Sequence, residues 1–401
     1  MKTFDPSTCI NDYLVFGEFG DVNPSITDSS TFTFRNPGKM EELFDHEIEG
    51  CFLYSRHWNP INKYLSNALA RFEDTESAQV TSSGMGAISS AILEICSSGD
   101  EVISGRTIYG GTYALFKNFL PKLGIKVKFV DLNDHKLIEN SITDKTKIIY
   151  GESVSNPLLE ILDIPKVSEI AKKYGLKFIV DNTFSPMIIT PVRLGADITV
   201  HSMTKFINGT SDCVAGCICS THDFIASLVD ITSGATMLLG PVLDSFRAAS
   251  ILKNLHTLHL RIQKHSENAM FLAEEFEKLG VKVYYPGLRS NRHHGLLDSI
   301  RNEGFGFGGM IAIDAGDYNK AAQLMTRMQE EKVGYLAVSL GYFKTLFSSP
   351  GHSTSSEIPE EEQKKMGLSD GLVRFSIGLD NDIQPAYEKI KKCMKEINII
   401  K

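Results

Sequence analysis

Asp197-Ile-Thr-Val-His-Ser-Met-Thr-Lys205 is a strand-like apolar stretch that ends in a lysine, and the preceding stretch, Leu176-Lys-Phe-Ile-Val-Asp181, ends in an aspartate. In open α/β sheets, ligands bind outside the carboxyl ends of the strands. Two such ends can therefore aim an amine and a carboxylate into one crevice. This pairing predicts a lysine that forms a Schiff base, as pyridoxal phosphate requires, with a carboxylate that keeps the ring nitrogen of the cofactor protonated.

A phosphate site is indicated in Ala78–Gly86, where a strand, a glycine turn and a helix start follow one another. The backbone amides of Gly84 and Met85 would point at an anion there. Ser202 and Thr204 are two residues apart, so on an extended segment their hydroxyls share one face and can bind the same phosphate. Taken alone, each feature also fits an ordinary glycine turn or ordinary strand-end hydroxyls.

Apolar strand candidates alternate with helical segments over residues 59–246, which predicts an α/β fold with a mostly parallel sheet covered by helices. The strand candidates are Glu101-Val-Ile-Ser, Val127-Lys-Phe-Val, Ile148-Ile-Tyr, Phe178-Ile-Val and Ile198-Thr-Val, and Ile164–Gly175 is a predicted helix. Residues 1–58 lack periodicity and are predicted to form an N-terminal arm. Residues 247–401 are predicted to form a smaller α+β domain, which begins with a long helical segment. The polar segment 342–370 is long enough to cover a site.

Composition limits the classes of partner. The chain has 401 residues, with 41 Lys and Arg against 49 Asp and Glu, and no basic run suited to nucleic acid. No apolar run approaches the roughly 20 residues of a membrane span. Seven scattered cysteines favour reduced thiols and a soluble, cytoplasmic protein. The clustered Cys213, Cys217 and Cys219 are interpreted as small apolar residues of a buried strand, so no metal is expected.

Six motifs spread along the chain resemble the trans-sulfuration family of pyridoxal phosphate enzymes, which includes cystathionine lyases, sulfhydrylases and methionine γ-lyase. They are Tyr54-Ser-Arg-His, Thr81-Ser-Ser-Gly-Met, Tyr109-Gly-Gly-Thr, Asp181-Asn-Thr-Phe, Ala337-Val-Ser-Leu-Gly-Tyr and Ser353-Thr-Ser-Ser-Glu. The match extends nearly end to end, and the plant-type methionine γ-lyase branch is the most similar. The resemblance implies the fold-type I architecture of pyridoxal phosphate-dependent transferases.

The resemblance also implies roles for the cofactor-binding residues. Lys205 would form the Schiff base, Asp181 would pair with the pyridine nitrogen, and the phosphate would be held by Gly84, Met85, Ser202 and Thr204. Tyr109 would stack on the cofactor ring and help to protonate the departing sulfur, although a packed core tyrosine is the alternative. Asn156 would contact the ring oxygen of the cofactor.

Two arm residues, Tyr54 and Arg56, resemble a pair that reaches the phosphate of a neighbouring subunit in the family. The resemblance therefore implies a homo-oligomer, a tetramer built from dimers with shared active sites. An exposed surface position on the arm is the alternative for both residues.

Substrate binding is expected at Arg374, which alternates with Val373 and Phe375 in a strand-like stretch and needs an anionic partner there. In the family, the arginine of this motif binds the substrate carboxylate, and Ser339 resembles a second contact to it. A structural ion pair is the alternative for the arginine.

The implied reaction is α,γ-elimination of L-methionine to methanethiol, ammonia and 2-oxobutanoate. Alternatives are an O-acetylhomoserine sulfhydrylase, a cystathionine γ-lyase or γ-synthase, and, remotely, a noncatalytic binding protein, because fold and cofactor do not separate them. Gly111 does not discriminate among these, and Lys344 replaces a glutamate that is usual in related sequences. Gly304–Gly309 leads into a strand and so fails as a dinucleotide loop. His201 is interpreted as structural.

Overall fold

Two β-sheets organise the part of the chain that the computed structural model describes, which is residues 4–17, 19–45, 48, 50–353, 363 and 367–401. The strands of the larger sheet are β1 (Ser77–Thr81), β2 (Glu101–Gly105), β3 (Lys126–Val130), β4 (Thr146–Glu152), β5 (Lys177–Asp181), β6 (Ile198–Ser202) and β7 (Gly216–Ser220). The strands of the smaller sheet are β8 (Lys282–Tyr284), β9 (Met310–Asp314), β10 (Gly334–Leu336), β11 (Thr345–Ser348) and β12 (Leu372–Ser376).

Helices cover both faces of the larger sheet and one face of the smaller one. In the described residues they are α1 (Pro6–Asn11), α2 (Pro37–Asp45), α3 (Pro60–Phe72), α4 (Gly84–Ile95), α5 (Gly110–Ala114), α6 (His135–Ser141), α7 (Ile164–Lys173), α8 (His222–Leu228), α9 (Ala235–Leu239), α10 (Ser245–Leu255), α11 (Leu258–Lys278), α12 (His294–Ile300), α13 (Tyr318–Glu330) and α14 (Gln384–Glu396). Shorter helical turns are Leu115–Phe119, Leu120–Leu123, Pro191–Leu194 and Pro350–His352. No helix within these ranges combines the length and apolarity that a membrane crossing requires.

The larger sheet has the order β1-β7-β6-β5-β4-β2-β3 and is mostly parallel, which confirms the predicted α/β class. Strand β7 runs antiparallel to both of its neighbours, because the segment between β6 and β7 returns without a crossover helix. Cys217 and Cys219 are buried in β7, whereas Cys213 precedes the strand and is only half-buried. The loop that returns the chain to β7 carries Lys205.

Alternating side chains of the larger sheet build two separate cores. In β5, Phe178 and Val180 face one core and Ile179 faces the other, as the period of two residues in a strand requires. A third core surrounds the smaller sheet, whose order is β10-β11-β12-β9-β8.

The predicted boundary between 246 and 247 falls at the start of α10, but α10 packs on α3 in the first core. The predicted long helix is two helices, and the second, α11, continues from the first core at Ile262 to the third core at Leu272. We therefore propose that the boundary between the large and small units lies within α11.

The segment 342–370, predicted to be a long covering loop, contains β11 at its start. Its residues 354–362 and 364–366 lie outside the described residues, and with them most of the motif Ser353–Glu357. The prediction that this segment covers a site stays a prediction.

Candidate active site

A solvent-open cleft with about 940 Å³ of empty volume lies at the carboxyl ends of β4, β5 and β6, where ligands bind in open α/β sheets. The fold brings most of the predicted site residues to it. Those that line it are Gly84, Met85, Tyr109, Asn156, Asp181, Ser202, Thr204, Lys205 and Arg374. Ser339 also belongs here, because its hydroxyl contacts the Lys205 amine.

Lys205 lies in the loop after β6, and its Nζ donates a hydrogen bond of 3.2 Å to Ser339 Oγ. Burial, and then the positive charge of Arg374, lower the pKa of Lys205 from its ordinary value to about 8. A second arginine, Arg261, fixes the backbone just beyond the lysine by donating to the carbonyls of Phe206 and Ile207. The amine is therefore held in place and is more easily deprotonated than an ordinary lysine.

Asp181 ends β5 with its carboxylate buried in the cleft wall. Its Oδ1 accepts the backbone N–H of Thr183 at 3.0 Å, and its Oδ2 accepts the hydroxyl of Tyr150 at 3.3 Å. Burial raises the pKa of this carboxyl, whereas the hydrogen bonds from Thr183 and the charge of His201 oppose the rise. A cationic ligand group next to Asp181 would favour its ionised form further.

His201 lies outside the cleft in a buried pair with Glu73, with 2.7 Å between His201 Nε2 and Glu73 Oε1. Burial alone would lower the pKa of this imidazole, but the Glu73 carboxylate raises it to about 9. The histidine is therefore paired inside the first core, as expected for a structural role.

The N-terminus of α4 and two hydroxyls form the other end of the cleft. Gly84 approaches Ser202 so closely that a Cβ at position 84 would lie 2.7 Å from Ser202 Cβ. Met85 follows in the first turn of the helix. Thr204 Oγ1 exchanges hydrogen bonds with Ala215, accepting from its N–H at 3.0 Å and donating to its carbonyl at 3.2 Å. A phosphate here would meet helix amides and the Ser202 hydroxyl directly, and Thr204 would have to release the carbonyl to donate to it.

Arg374 extends from β12 into the cleft, and its strand neighbours Val373 and Phe375 pack in the third core, as the alternation predicted. The guanidinium is buried and donates from Nη1 to Asn156 Oδ1 at 2.8 Å and from Nη2 to Ser348 Oγ at 3.5 Å. Burial lowers the pKa of Arg374 to about 10. Within the described residues it forms no salt bridge, so this buried cation has only neutral hydrogen-bond partners.

Tyr109 and Glu152 complete the cleft wall. The Tyr109 ring is partly exposed to the cleft and packs over Gly111, where an added Cβ would lie 2.5 Å from Tyr109 Cε1. Glu152 was missed by sequence reasoning, although it ends β4 just as Asp181 ends β5. Its Oε1 accepts the backbone N–H of Tyr109 at 2.6 Å, and its Oε2 accepts that of Asn156 at 3.1 Å.

Besides His201, three residues singled out in the sequence do not line the cleft of their own chain. Arg56 donates to the carbonyl of Met237 at 2.8 Å, and Tyr54 is exposed beside the guanidinium. Lys344 faces Asp380, with 3.8 Å between Nζ and Oδ1.

The donor set of the cleft fits pyridoxal phosphate. An amine of lowered pKa, a buried carboxylate and the N-terminus of a twelve-residue helix converge there. These are the groups needed for the aldehyde, the ring nitrogen and the phosphate of that cofactor.

Comparisons with known proteins agree with this geometry. The family model described as "Cys/Met metabolism PLP-dependent enzyme" matches residues 12–394. The chain is 42% identical to a methionine γ-lyase of Arabidopsis thaliana over 97% of this chain and 90% of that protein. It is 35% identical to an L-methionine γ-lyase of Fusobacterium nucleatum subsp. polymorphum, over 93% of this chain and 95% of that one.

A crystal structure of a putative O-acetylhomoserine (thiol)-lyase from Campylobacter jejuni, which contains N'-pyridoxyl-lysine-5'-monophosphate, aligns with a TM-score of 0.90 and 29% identity. The alignment covers 98% of this chain and 100% of that one. The predicted fold, cofactor and enzyme class are thereby confirmed, and the chain belongs to the Cys/Met metabolism family of pyridoxal phosphate-dependent enzymes.

Proposed function

We propose that this chain is a methionine γ-lyase, a carbon–sulfur lyase that converts L-methionine and water to methanethiol, ammonia and 2-oxobutanoate. The observation that carries the proposal is the buried Arg374 guanidinium, which shares a cleft with the Lys205 amine and, in the described part of the chain, donates hydrogen bonds to the neutral Asn156 and Ser348 side chains and forms no salt bridge. An amino-acid carboxylate would supply that partner. The choice of methionine is supported by the names of the two relatives above.

We assign the cofactor to the cleft with Lys205 as its covalent attachment and Asp181 at its ring nitrogen. When bound, the cofactor supplies a protonated ring that accepts the electrons left at the substrate Cα. The phosphate is assigned to Gly84, Met85, Ser202 and Thr204, and the ring oxygen to Asn156.

We assign substrate orientation and proton transfer to side chains of this chain. Arg374 and Ser339 bind the substrate carboxylate and so orient the Cα–H bond. Lys205, once its amine is free, removes the proton at Cα, and after it has passed that proton on, the neutral amine can remove a proton at Cβ; a lowered pKa suits both steps. Tyr109 donates its phenolic proton to the departing sulfur.

We further propose a homotetramer built from dimers, in which Tyr54 and Arg56 serve the cleft of the neighbouring subunit. Their position outside their own cleft supports this arrangement. Co-expression of Arg56→Ala and Lys205→Ala subunits tests it. Sharing across subunits predicts that mixed dimers regain one working site, whereas action within one chain predicts that no activity returns.

The seven cysteines are all free thiols, which supports a cytosolic location in a reducing compartment. Fractionation of the source cells, with an antibody to this chain, tests the location.

A γ-replacing sulfhydrylase is the second candidate, favoured by the likeness to the Campylobacter protein. Product analysis separates the two. Methionine alone should yield methanethiol and 2-oxobutanoate, and Lys205→Ala with added cofactor should yield neither. Absence of both products from the wild-type protein, together with rapid homocysteine formation from O-acetylhomoserine and sulfide, would replace the first candidate by the second.

The covalent assignment has its own test. Borohydride reduction of the holoprotein followed by peptide mass analysis should find the cofactor on the peptide that contains Lys205. Label on another peptide, or on none, would refute the assignment.

A further inference from the structure

Glu152 is a half-buried carboxylate at the carboxyl end of β4, where it lines the cleft, and it has no part in the reaction described above. In the sheet register it lies directly beside Asp181 of β5. Burial and the neighbouring Asp181 charge both disfavour the ionised form of Glu152, and they raise its pKa well above the ordinary value. Ionising a carboxyl group at this position costs free energy, and the hydrogen bonds that Glu152 accepts from two backbone N–H groups oppose that cost.

The first contact is at the start of α5. Tyr109 is the N-cap residue of this helix, and its side chain makes no capping hydrogen bond to the helix backbone. Glu152 Oε1 accepts the Tyr109 backbone N–H at 2.6 Å. The backbone of Tyr109, and with it the origin of the side chain that faces the cleft, is therefore fixed from β4.

The second contact is in the loop that follows β4. Glu152 Oε2 accepts the Asn156 backbone N–H at 3.1 Å, and the Asn156 side-chain oxygen accepts from Arg374 Nη1 at 2.8 Å. One carboxylate is thus bonded directly to Tyr109 and, through Asn156, holds the guanidinium. Only a group with two acceptor oxygens can make both bonds, because a glutamine of the same size presents an NH₂ to one of the two N–H donors.

We propose that Glu152 is a positioning residue for the reaction, which sets Tyr109 and Arg374 relative to each other through its two carboxylate oxygens. The inference rests on the roles given to these two side chains under the proposed function. Glu152 itself is not expected to touch the substrate.

The test compares Glu152→Gln with Glu152→Asp, using holoenzyme throughout. The glutamine keeps the size and loses one acceptor, whereas the aspartate keeps the charge but is one methylene too short to reach both N–H groups. Both variants should retain one cofactor per chain and lower kcat/KM for methionine by about 10- to 100-fold. Both should also raise the dissociation constant of glycine, a carboxylate probe, and alter the visible circular dichroism of the cofactor beside Tyr109.

Glu101→Gln is the matched control. Glu101 is likewise a carboxylate at a strand end, but it lies at the start of β2, at the opposite end of the strands from the cleft, and it pairs with Lys128. This variant should leave all four readouts unchanged.

Glu152→Gln with kcat, KM, glycine affinity and circular dichroism within twofold of wild type would overturn the proposal. Recovery of wild-type values in Glu152→Asp alone would also overturn it, since charge rather than position would then be the requirement. If the variants do not fold, amide hydrogen exchange of the wild-type holoenzyme decides: the Tyr109 and Asn156 N–H groups should be protected, and rapid exchange of both refutes the inference. Failure of the proposed function would differ, since wild type itself would then release no methanethiol.

Discussion

The Lys205 amine should titrate far below an ordinary lysine in the cofactor-free protein, and Arg374→Gln should move its pKa upward. Burial is the larger cause of the lowered pKa, and the Arg374 charge is the second. Removing the charge leaves the burial, so the pKa in the variant should rise from about 8 but remain below the ordinary 10.5.

This shift has a large kinetic consequence, because only the neutral amine is a nucleophile. At pH 8 about half of the Lys205 amine is neutral, against roughly 0.3% of an ordinary lysine, a ratio of about 150. At that pH, Lys205 should therefore react with an acylating reagent about 100-fold faster than its accessibility alone would allow.

Competitive acetylation of the cofactor-free protein measures the pKa directly, with a lysine peptide as internal standard and mass analysis of the Lys205 peptide from about pH 6 to pH 11. Arg327→Gln removes an exposed cation that pairs with Glu396 away from the cleft, and it is the matched control that should leave the Lys205 profile unchanged. A wild-type midpoint near that of the free peptide would refute the burial argument. An unchanged midpoint in Arg374→Gln, or an equal change in Arg327→Gln, would refute the role of the Arg374 charge.

Three further predictions concern neighbouring features. Arg374→Lys should keep the cofactor but raise KM for methionine by about 10- to 100-fold in steady-state assays, because a lysine cannot make the two-pronged contact. Burial lowers the pKa of His201, but the Glu73 carboxylate outweighs it and holds this pKa at about 9, above the ordinary 6.5 of an unfolded histidine. The ion pair therefore stabilises the fold fully below pH 6.5, and this stabilisation is lost as the pH rises through 9. Urea unfolding at pH 6 and pH 10 should therefore show a loss of up to about 3 kcal/mol that Glu73→Gln lacks, and equal pH dependence in both proteins would contradict this account. Gly111→Ala should displace the Tyr109 ring, since the new Cβ would lie 2.5 Å from it, and lower kcat by about tenfold at full cofactor content; an unchanged kcat would contradict the contact.

Much of the fold could be predicted from local patterns. Alternating apolar segments identified β2 to β6, and a proline start with a glycine stop identified α7. The antiparallel direction of β7 was not predictable, because Cys213–Cys219 shows a buried strand but carries no signal for its direction. The packing of α10 in the first core was not predictable either, because an amphipathic pattern shows that a helix has an apolar face and not which sheet covers that face.

The site was predicted where chemistry and strand ends coincide. The pattern that identified its residues is a charged side chain beside apolar ones. Lys205 and Asp181 each end an apolar run, and Arg374 alternates with apolar residues within one. Glu152 obeys the same strand-end rule, and it was overlooked because its role depends on two backbone N–H groups that side-chain motifs do not display. The Glu73 partner of His201 was unpredictable, since 128 residues separate the two in sequence.

The sequence by itself determined the α/β class and the cofactor chemistry, and it singled out the lysine and aspartate that we propose serve the cofactor, because period-two burial and strand-end charges are local properties of the chain. The tertiary structure alone decided which charged side chains lie close enough to shift each other's pKa, and that Arg374 has neutral hydrogen-bond partners in the cleft. The lowered pKa of Lys205 and the two bonds of Glu152 arise from residues that meet only after strands β4, β5, β6 and β12 converge on one cleft. Burial and distance, which set Coulomb energies and desolvation, exist only in the folded chain.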